Sequence, residues 1–270
     1  MKILLNSAKL KKELKNNQSL GFVPTMGAIH KGHEHLISIS KKNNKKTIVS
    51  IFINPTQFND LKDFKKYPKN LKKDLIILKR LKVDFVFIPK TKDIYRYKRI
   101  KKIKLAKKSL ILCAKFRKGH FEGVLDVMDR LTRIIYPRNI YMGEKDFQQY
   151  YLVKNFIEKK YFTKIVKCKT IRNSKGVALS SRNLLLSKAS LENAAKIIFQ
   201  LRKIKKRISK QVNIKKYLEF ISKDLVKKYK IKIDYLELRN ETNLLKSTKI
   251  KNSRLFISYY LSGIRLIDNL

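Results

Sequence analysis

Pro24-Thr25-Met26-Gly27-Ala28-Ile29-His30-Lys31-Gly32-His33 is the stretch on which the reading of this chain turns. An apolar run containing Leu20, Phe22 and Val23 ends at Pro24 and Gly27, and two histidines then flank a glycine where a helix should begin. That layout places imidazoles and free backbone N–H groups at a helix N-terminus, where phosphate binds readily. The segment points to a nucleotide-using protein.

Outward from this stretch, short apolar runs alternate with helical patterns. The expected strands are Lys2–Leu5, Leu20–Pro24, Thr47–Ile53, Asp84–Ile88, Asn139–Met142 and Ile165–Cys168, with helices over Ala8–Asn16, Gly32–Lys42, Asn70–Leu81, Val124–Tyr136 and Phe147–Lys160. Val124, Val127, Met128, Leu131, Ile134 and Ile135 fall at helical spacing, and Pro137 stops that helix. Such alternation predicts an α/β fold, a parallel sheet with helices on both faces and ligands at the carboxyl ends of its strands. After about Ser187 the pattern changes to two lysine-rich helices, Ala189–Ile208 and Ile214–Tyr229, then strand-like runs Ile231–Leu238, Leu255–Leu261 and Ile264–Ile267. This predicts a smaller C-terminal α+β domain, with a linker through Asn173-Ser174-Lys175-Gly176.

The chain has 270 residues, enough for one large domain or two modest ones, with 66 Lys and Arg against 20 Asp and Glu for a net charge of +46. Clustered cations would suggest nucleic acid. These lysines instead recur throughout, as at Lys72-Lys73, Lys101-Lys102 and Lys159-Lys160, with Tyr95–Lys108 the one locally biased basic stretch. No basic tail, zinc-finger spacing or aromatic RNA-binding signature accompanies them. A/T-biased coding explains the composition, while the field still favours an anionic substrate. Cys113 and Cys168 have no metal or redox spacing, and the apolar Ile3-Leu4-Leu5 is too short for a signal peptide. The expectation is a soluble cytoplasmic protein with reduced thiols, no membrane segment and no resident metal.

Four segments carry candidate chemistry. Beyond a structural role, His30 and His33 could donate hydrogen bonds to phosphate oxygens and stabilise charge on a leaving pyrophosphate. His35 is expected at the surface, and His120 has no assigned role. In Ser50-Ile51-Phe52-Ile53-Asn54-Pro55-Thr56-Gln57-Phe58, Asn-Pro explains a turn, whereas Gln57 is an amide suited to a hydroxyl or carboxylate. In Gly143-Glu144-Lys145-Asp146-Phe147-Gln148-Gln149, Asp146 and Gln149 have capping-box spacing, and Lys145 stands where an ammonium could meet phosphate. Ser180-Ser181-Arg182-Asn183 is either a polar linker or a phosphate clamp of two hydroxyls and a guanidinium.

His30-Lys31-Gly32-His33 resembles the signature of the HIGH-type nucleotidyltransferases. Several further segments, in order and spacing, make the chain similar to the pantoate–β-alanine ligase family within that superfamily. They are Pro24–Gly27, Ser50–Phe58, Gly119-His120-Phe121 with Gly123-Val124, Gly143–Gln149, Leu179–Asn183 and Arg265-Leu266-Ile267-Asp268-Asn269. The resemblance implies a Rossmann-like ATP- and pantoate-binding domain over 1–175 and a lid domain over 176–270. It also implies a homodimer, Mg2+ accompanying ATP, and no specific nucleic-acid or membrane partner. The implied reaction forms pantoyl adenylate from ATP and pantoate, then pantothenate by attack of the β-alanine amine.

Carried onto this sequence, the resemblance makes His33 the proton donor and His30 a phosphate contact, with Lys145 and Arg182 completing the catalytic set. ATP would be bound by Met26, Gly27, Ala28, Ile29, His30, Lys31, Gly32 and His33, by Gly143, Glu144, Lys145 and Asp146, by Ile171 through its backbone, and by Leu179, Ser180, Ser181 and Arg182. Gln57 would contact pantoate and β-alanine, and Gln149 pantoate. Two places depart from the family pattern: Cys113–Lys118 replaces a Glu-Gly-Ala type stretch and the Pro of Pro-Gly-His, and Asp126 stands where Thr is common. The competing readings are a nucleotidyltransferase acting on a phosphorylated acceptor, which the neutral Gln57 and Gln149 disfavour, and a nucleic-acid binder.

Overall fold

The computed structural model describes residues 1–15, 19–97, 101–208 and 211–270, and it divides into two compact units, Met1–Thr170 and Ile171–Leu270. The expected helix end at Asn16 and part of the basic stretch 95–108 fall outside the described residues.

Unit one is built on six parallel strands, β1 (Lys2–Leu4), β2 (Leu20–Thr25), β3 (Lys46–Ile51), β4 (Phe85–Phe87), β5 (Asn139–Gly143) and β6 (Lys164–Cys168). Its helices are α1 (Ser7–Leu14), α2 (Lys31–Asn43), α3 (Leu61–Lys66), α4 (Leu71–Arg80), α5 (Thr91–Ile94), α6 (Cys113–Phe116), α7 (His120–Ile135) and α8 (Phe147–Ile157). The short helices α3, α5 and α6 carry too few residues to show a period in the sequence. Strand order is β1-β4-β3-β2-β5-β6. The chain therefore runs from β2 outward through β3 and β4, then returns to the other side of β2 to add β5. That reversal opens a crevice at the carboxyl ends of β2 and β5, the usual ligand position in such sheets.

The strands are nearly continuous apolar runs because a parallel sheet is covered on its faces. Leu36 and Ile37 of α2 and Leu78 of α4 pack with Val23, Val49, Ile51 and Val86. Each such side chain, fully buried, contributes about 1.5–3 kcal/mol. Gly21 lets α2 approach β2, since a Cβ there would meet Ser40 Oγ and the Asn44 amide. Helix α7 starts four residues before the expected Val124, buries Val124, Val127, Met128 and Leu131, and ends at Tyr136, whose φ of 52° precedes Pro137. Asp126 on this helix accepts from Arg130 Nε at 3.0 Å, and the same guanidinium donates to Ile94 O and Tyr97 O. The departure at Asp126 is thus one half of an ion pair that ties down 94–97.

Unit two is an antiparallel sheet, β7 (Lys232–Asn240), β8 (Ser253–Leu261) and β9 (Ile264–Asn269), packed by α9 (Lys188–Ile208) and α10 (Ile214–Tyr229). Asn173–Gly176 is the turn of a small hairpin, not a linker. Arg172 pairs with Ala178, Asn173 N donates to Val177 O, and Gly176 N donates to Asn173 O. Arg172 anchors that hairpin to β9 through a bidentate pair with Asp268 at 2.6 and 2.8 Å and a bond to Asn269 O. Cys113 and Cys168 are buried and unbridged. Among the described residues no helix is long and apolar enough to cross a membrane.

Candidate active site

Thr25 closes β2, and Gly27 (φ 80°) and Ala28 (φ 50°) turn the chain into α2. His30 is the N-cap of that helix, and its Nδ1 accepts from Gly32 N at 3.1 Å. A neutral imidazole that accepts at Nδ1 carries its proton on Nε2, so His30 keeps one donor for a ligand. His33, one turn on, lies with its ring centroid 4.0 Å from that of His30. Its Nδ1 is buried and has no hydrogen-bond partner among the described residues. A desolvated orphan nitrogen of this kind is a common mark of a functional site.

Lys145 follows β5, the strand beside β2, in a 3-10 turn over Glu144–Asp146. Burial lowers the pKa of His30 to about 4, aided by the Lys145 ammonium and opposed by Asp146. Burial lowers that of His33 to about 3, aided by His30 and Lys145. The two imidazoles and the ammonium are close enough to feel one another, and at neutral pH the imidazoles are uncharged. The sequence motifs at 24–33 and 143–149 therefore meet at the sheet's switch point.

The loop's backbone differs from expectation. The N–H groups of Ala28 and Ile29 are not free: they donate to Asp74 Oδ2 and Oδ1 at 2.9 and 2.7 Å, and Gly27 N donates to Thr25 Oγ1. With Gly32 N held by His30, the four loop amides of Gly27, Ala28, Ile29 and Gly32 are all engaged within the chain rather than free. Asp74 escapes sequence reading because it lies in the first turn of α4, where an acidic residue is ordinary. Burial pushes its carboxyl pKa up, while the two N–H groups pull it down.

The amide motifs separate into supports and free groups. Asn54 Oδ1 accepts from Thr56 N, Thr56 Oγ1 and the Tyr95 hydroxyl, and Asn54 Nδ2 donates to Gly123 O, which fixes the Asn-Pro turn. Gln57 and Gln149 are half-buried, and neither carboxamide has a hydrogen-bond partner among the described residues. Gln148 is structural, accepting from Cys113 N and donating to Ile111 O. The capping box expected of Asp146 and Gln149 does not form: Asp146 makes no side-chain cap bond and pairs loosely with Lys145 at 3.4 Å. Glu144 accepts from Thr170 N. Gly143 faces open space, since a Cβ on it would meet nothing within 4 Å.

Met26 and His35 are half-buried and Lys31 is exposed. Ile171 and Leu179–Arg182 belong to unit two, where Leu179 N donates to Ile171 O and Ser180 Oγ accepts from Arg182 N. Ser181 is buried and Arg182 half-buried. No group of three or more His, Cys, Asp or Glu side chains suited to a metal ion occurs among the described residues.

Two neutral imidazoles beside an ammonium at the switch point of a parallel sheet are the arrangement of a nucleotide-binding α/β protein. The family model for pantoate–β-alanine ligase matches residues 2–270. A pantothenate synthetase of Francisella philomiragia is 38% identical over 96% of this chain and 92% of its own length. One of Helicobacter acinonychis is 37% identical over 100% and 99%. Among solved structures, pantothenate synthetase from Thermus thermophilus has a TM-score of 0.92 at 29% identity, covering 100% of this chain and 99% of that one. Pantoate–β-alanine ligase from Francisella tularensis, complexed with β,γ-ATP and β-alanine, has a TM-score of 0.85 at 38% identity over 100% and 97%. The chain belongs to the pantoate–β-alanine ligase family.

Proposed function

We infer that this site condenses pantoate with β-alanine at the expense of ATP, through pantoyl adenylate. The observation that carries the reading is the convergence of His30, His33 and Lys145 at the carboxyl ends of β2 and β5. In the first step a pantoate carboxylate oxygen attacks the α-phosphorus and the bond to the bridging oxygen breaks, releasing pyrophosphate. In the second the β-alanine amine attacks the acyl carbon, AMP leaves, and the nitrogen loses a proton. Neither step needs a protein nucleophile, so the protein's part is alignment and charge stabilisation.

His30 offers Nε2–H to a phosphate oxygen, and Lys145 neutralises charge growing on the leaving group. His33 is uncharged until a triphosphate arrives, whose negative charge raises its pKa and favours the imidazolium that can hand a proton to pyrophosphate. Mg2+ enters as part of the Mg-ATP substrate. Gln57 and Gln149, with unclaimed carboxamides, suit the hydroxyls and carboxylates of pantoate and β-alanine. Ser180, Ser181 and Arg182 take phosphate oxygens, and Ile171 meets the nucleotide through its backbone. The enzyme works as a cytoplasmic homodimer, which sedimentation at graded concentrations tests.

The test of the reaction is a product assay. Protein, Mg-ATP and pantoate should release pyrophosphate to about one equivalent per site and then slow; adding β-alanine should restart turnover, giving pantothenate and AMP. ADP and orthophosphate in place of AMP and pyrophosphate, or no pantothenate from folded protein, would overturn the reading.

A further inference from the structure

Gly119-His120-Phe121 has no place in the chemistry above, yet its histidine is buried and points at the substrate turn. His120 Nδ1 lies 2.7 Å from Gln57 O, and Arg117 Nη2 lies 3.2 Å from the same oxygen. Arg117 Nη1 is 2.9 Å from His120 Nε2. A guanidinium can only donate, so Nε2 accepts, the ring proton sits on Nδ1, and Nδ1–H donates to Gln57 O. The guanidinium thus sets the tautomer that makes His120 a donor.

The surrounding contacts give this clamp no slack. Asn59 Nδ2 donates to Lys118 O, which places the departure at Lys118 inside the clamp. Asn54 Nδ2 donates to Gly123 O, and a Cβ on Gly123 would run into the Thr56 carbonyl. Both ends of the 54–58 turn are tied to the start of α7.

We propose that Arg117 and His120 are positioning residues that hold the Gln57 carbonyl and so fix where its carboxamide meets the acid and amine substrates. The proposal rests on the reading of Gln57 as a substrate contact. A backbone carbonyl gripped by two donors holds its peptide plane, so the side chain leaves the turn from one fixed origin, and the cost of ordering that stretch of backbone on binding is already met.

The test is a kinetic cycle on the full-length enzyme with ATP, pantoate and β-alanine varied in turn. His120→Ala should raise KM for pantoate and for β-alanine by about tenfold, equal to about 1.4 kcal/mol, and leave KM for ATP within about twofold. His120→Asn puts an amide donor where Nδ1 stood and should restore most of the loss; His120→Gln puts it at Nε2 and should not. This pair keeps the proposal testable if the alanine variant does not fold. In a Gln57→Ala background, His120→Ala should add less than about twofold, because residues acting through one another are not additive. If Gln57→Ala impairs binding but His120→Ala multiplies the defect in full, or raises KM for ATP equally, the positioning role is overturned while the substrate role of Gln57 stands. If Gln57→Ala alone changes neither KM, both readings fall.

Discussion

Acidification should leave the two site histidines uncharged long after a solvated imidazole has titrated. An ordinary imidazole of pKa 6.5 is charged in about 97% of molecules at pH 5. With a pKa near 4, His30 would be charged in roughly one molecule in ten, and His33, near 3, in about one in a hundred. The chain has four histidines, so ring resonances in a two-dimensional spectrum can be followed one by one from pH 8 to 4. The same shifts set a stability slope. Both folded pKa values lie below the unfolded value, so between about pH 6.5 and 4 the unfolded state binds more protons. Stability contributed by these groups is fully present above pH 6.5 and is lost as pH falls, with a limiting slope of about 2.7 kcal/mol per pH unit for two protons. Urea unfolding of wild type and a His30→Gln/His33→Asn double variant should show the wild type losing stability faster across that window. Lys145→Met should move both titrations upward, since its ammonium is among the causes of each shift. His33 titrating between pH 6 and 7 in the free enzyme, or identical slopes for wild type and double variant, would refute the argument from burial.

Other substitutions separate chemistry from folding. Gly143→Ala meets no atom within 4 Å and has a compatible φ of −74°, so thermal midpoints should match, while KM for ATP rises by about tenfold or more if the nucleotide fills that space. Equal KM values would remove Gly143 from the site. Asp74→Asn leaves one of two loop N–H groups without an acceptor, which costs about 1–3 kcal/mol in urea unfolding. Pantoate-dependent release of pyrophosphate should fall with it, and unchanged rates would show that the loop does not need Asp74. Asp268→Asn removes the charge facing the Arg172 guanidinium in unit two and leaves it the Gly176 and Asn269 carbonyls, which should destabilise by about 1–3 kcal/mol. A loss under about 1 kcal/mol would mean that the pair does not hold the hairpin to β9.

The strands and long helices were legible because burial on both sheet faces writes apolar runs such as Phe22-Val23 and Ile48-Val49, and amphipathic helices such as α7 write a 3.6-residue period. The two motifs of the candidate site, at 24–33 and 143–149, were legible for a related reason: each closes a strand, and a parallel sheet gathers strand ends. Their adjacency was not legible, because only the pairing of β2 with β5 brings His33 and Lys145 together. Asp74 was invisible for the same cause, lying 45 residues from the Ile29 N–H it binds. Asn173-Ser174-Lys175-Gly176 has a turn composition that suits a linker or a hairpin equally, and the pairing of Arg172 with Ala178 chose the hairpin. The Asp146 capping box failed because the 3-10 turn before α8 carries the chain past the β-region geometry a capping side chain needs.

The central claim is that ATP activates the pantoate carboxylate as an adenylate, and the most direct measurement follows an oxygen atom. Pantoate labelled with 18O in its carboxylate should, after one turnover with ATP and β-alanine, pass one label to the phosphoryl group of AMP and keep the other in the pantothenate amide. AMP without label, or label recovered in orthophosphate, would contradict the account.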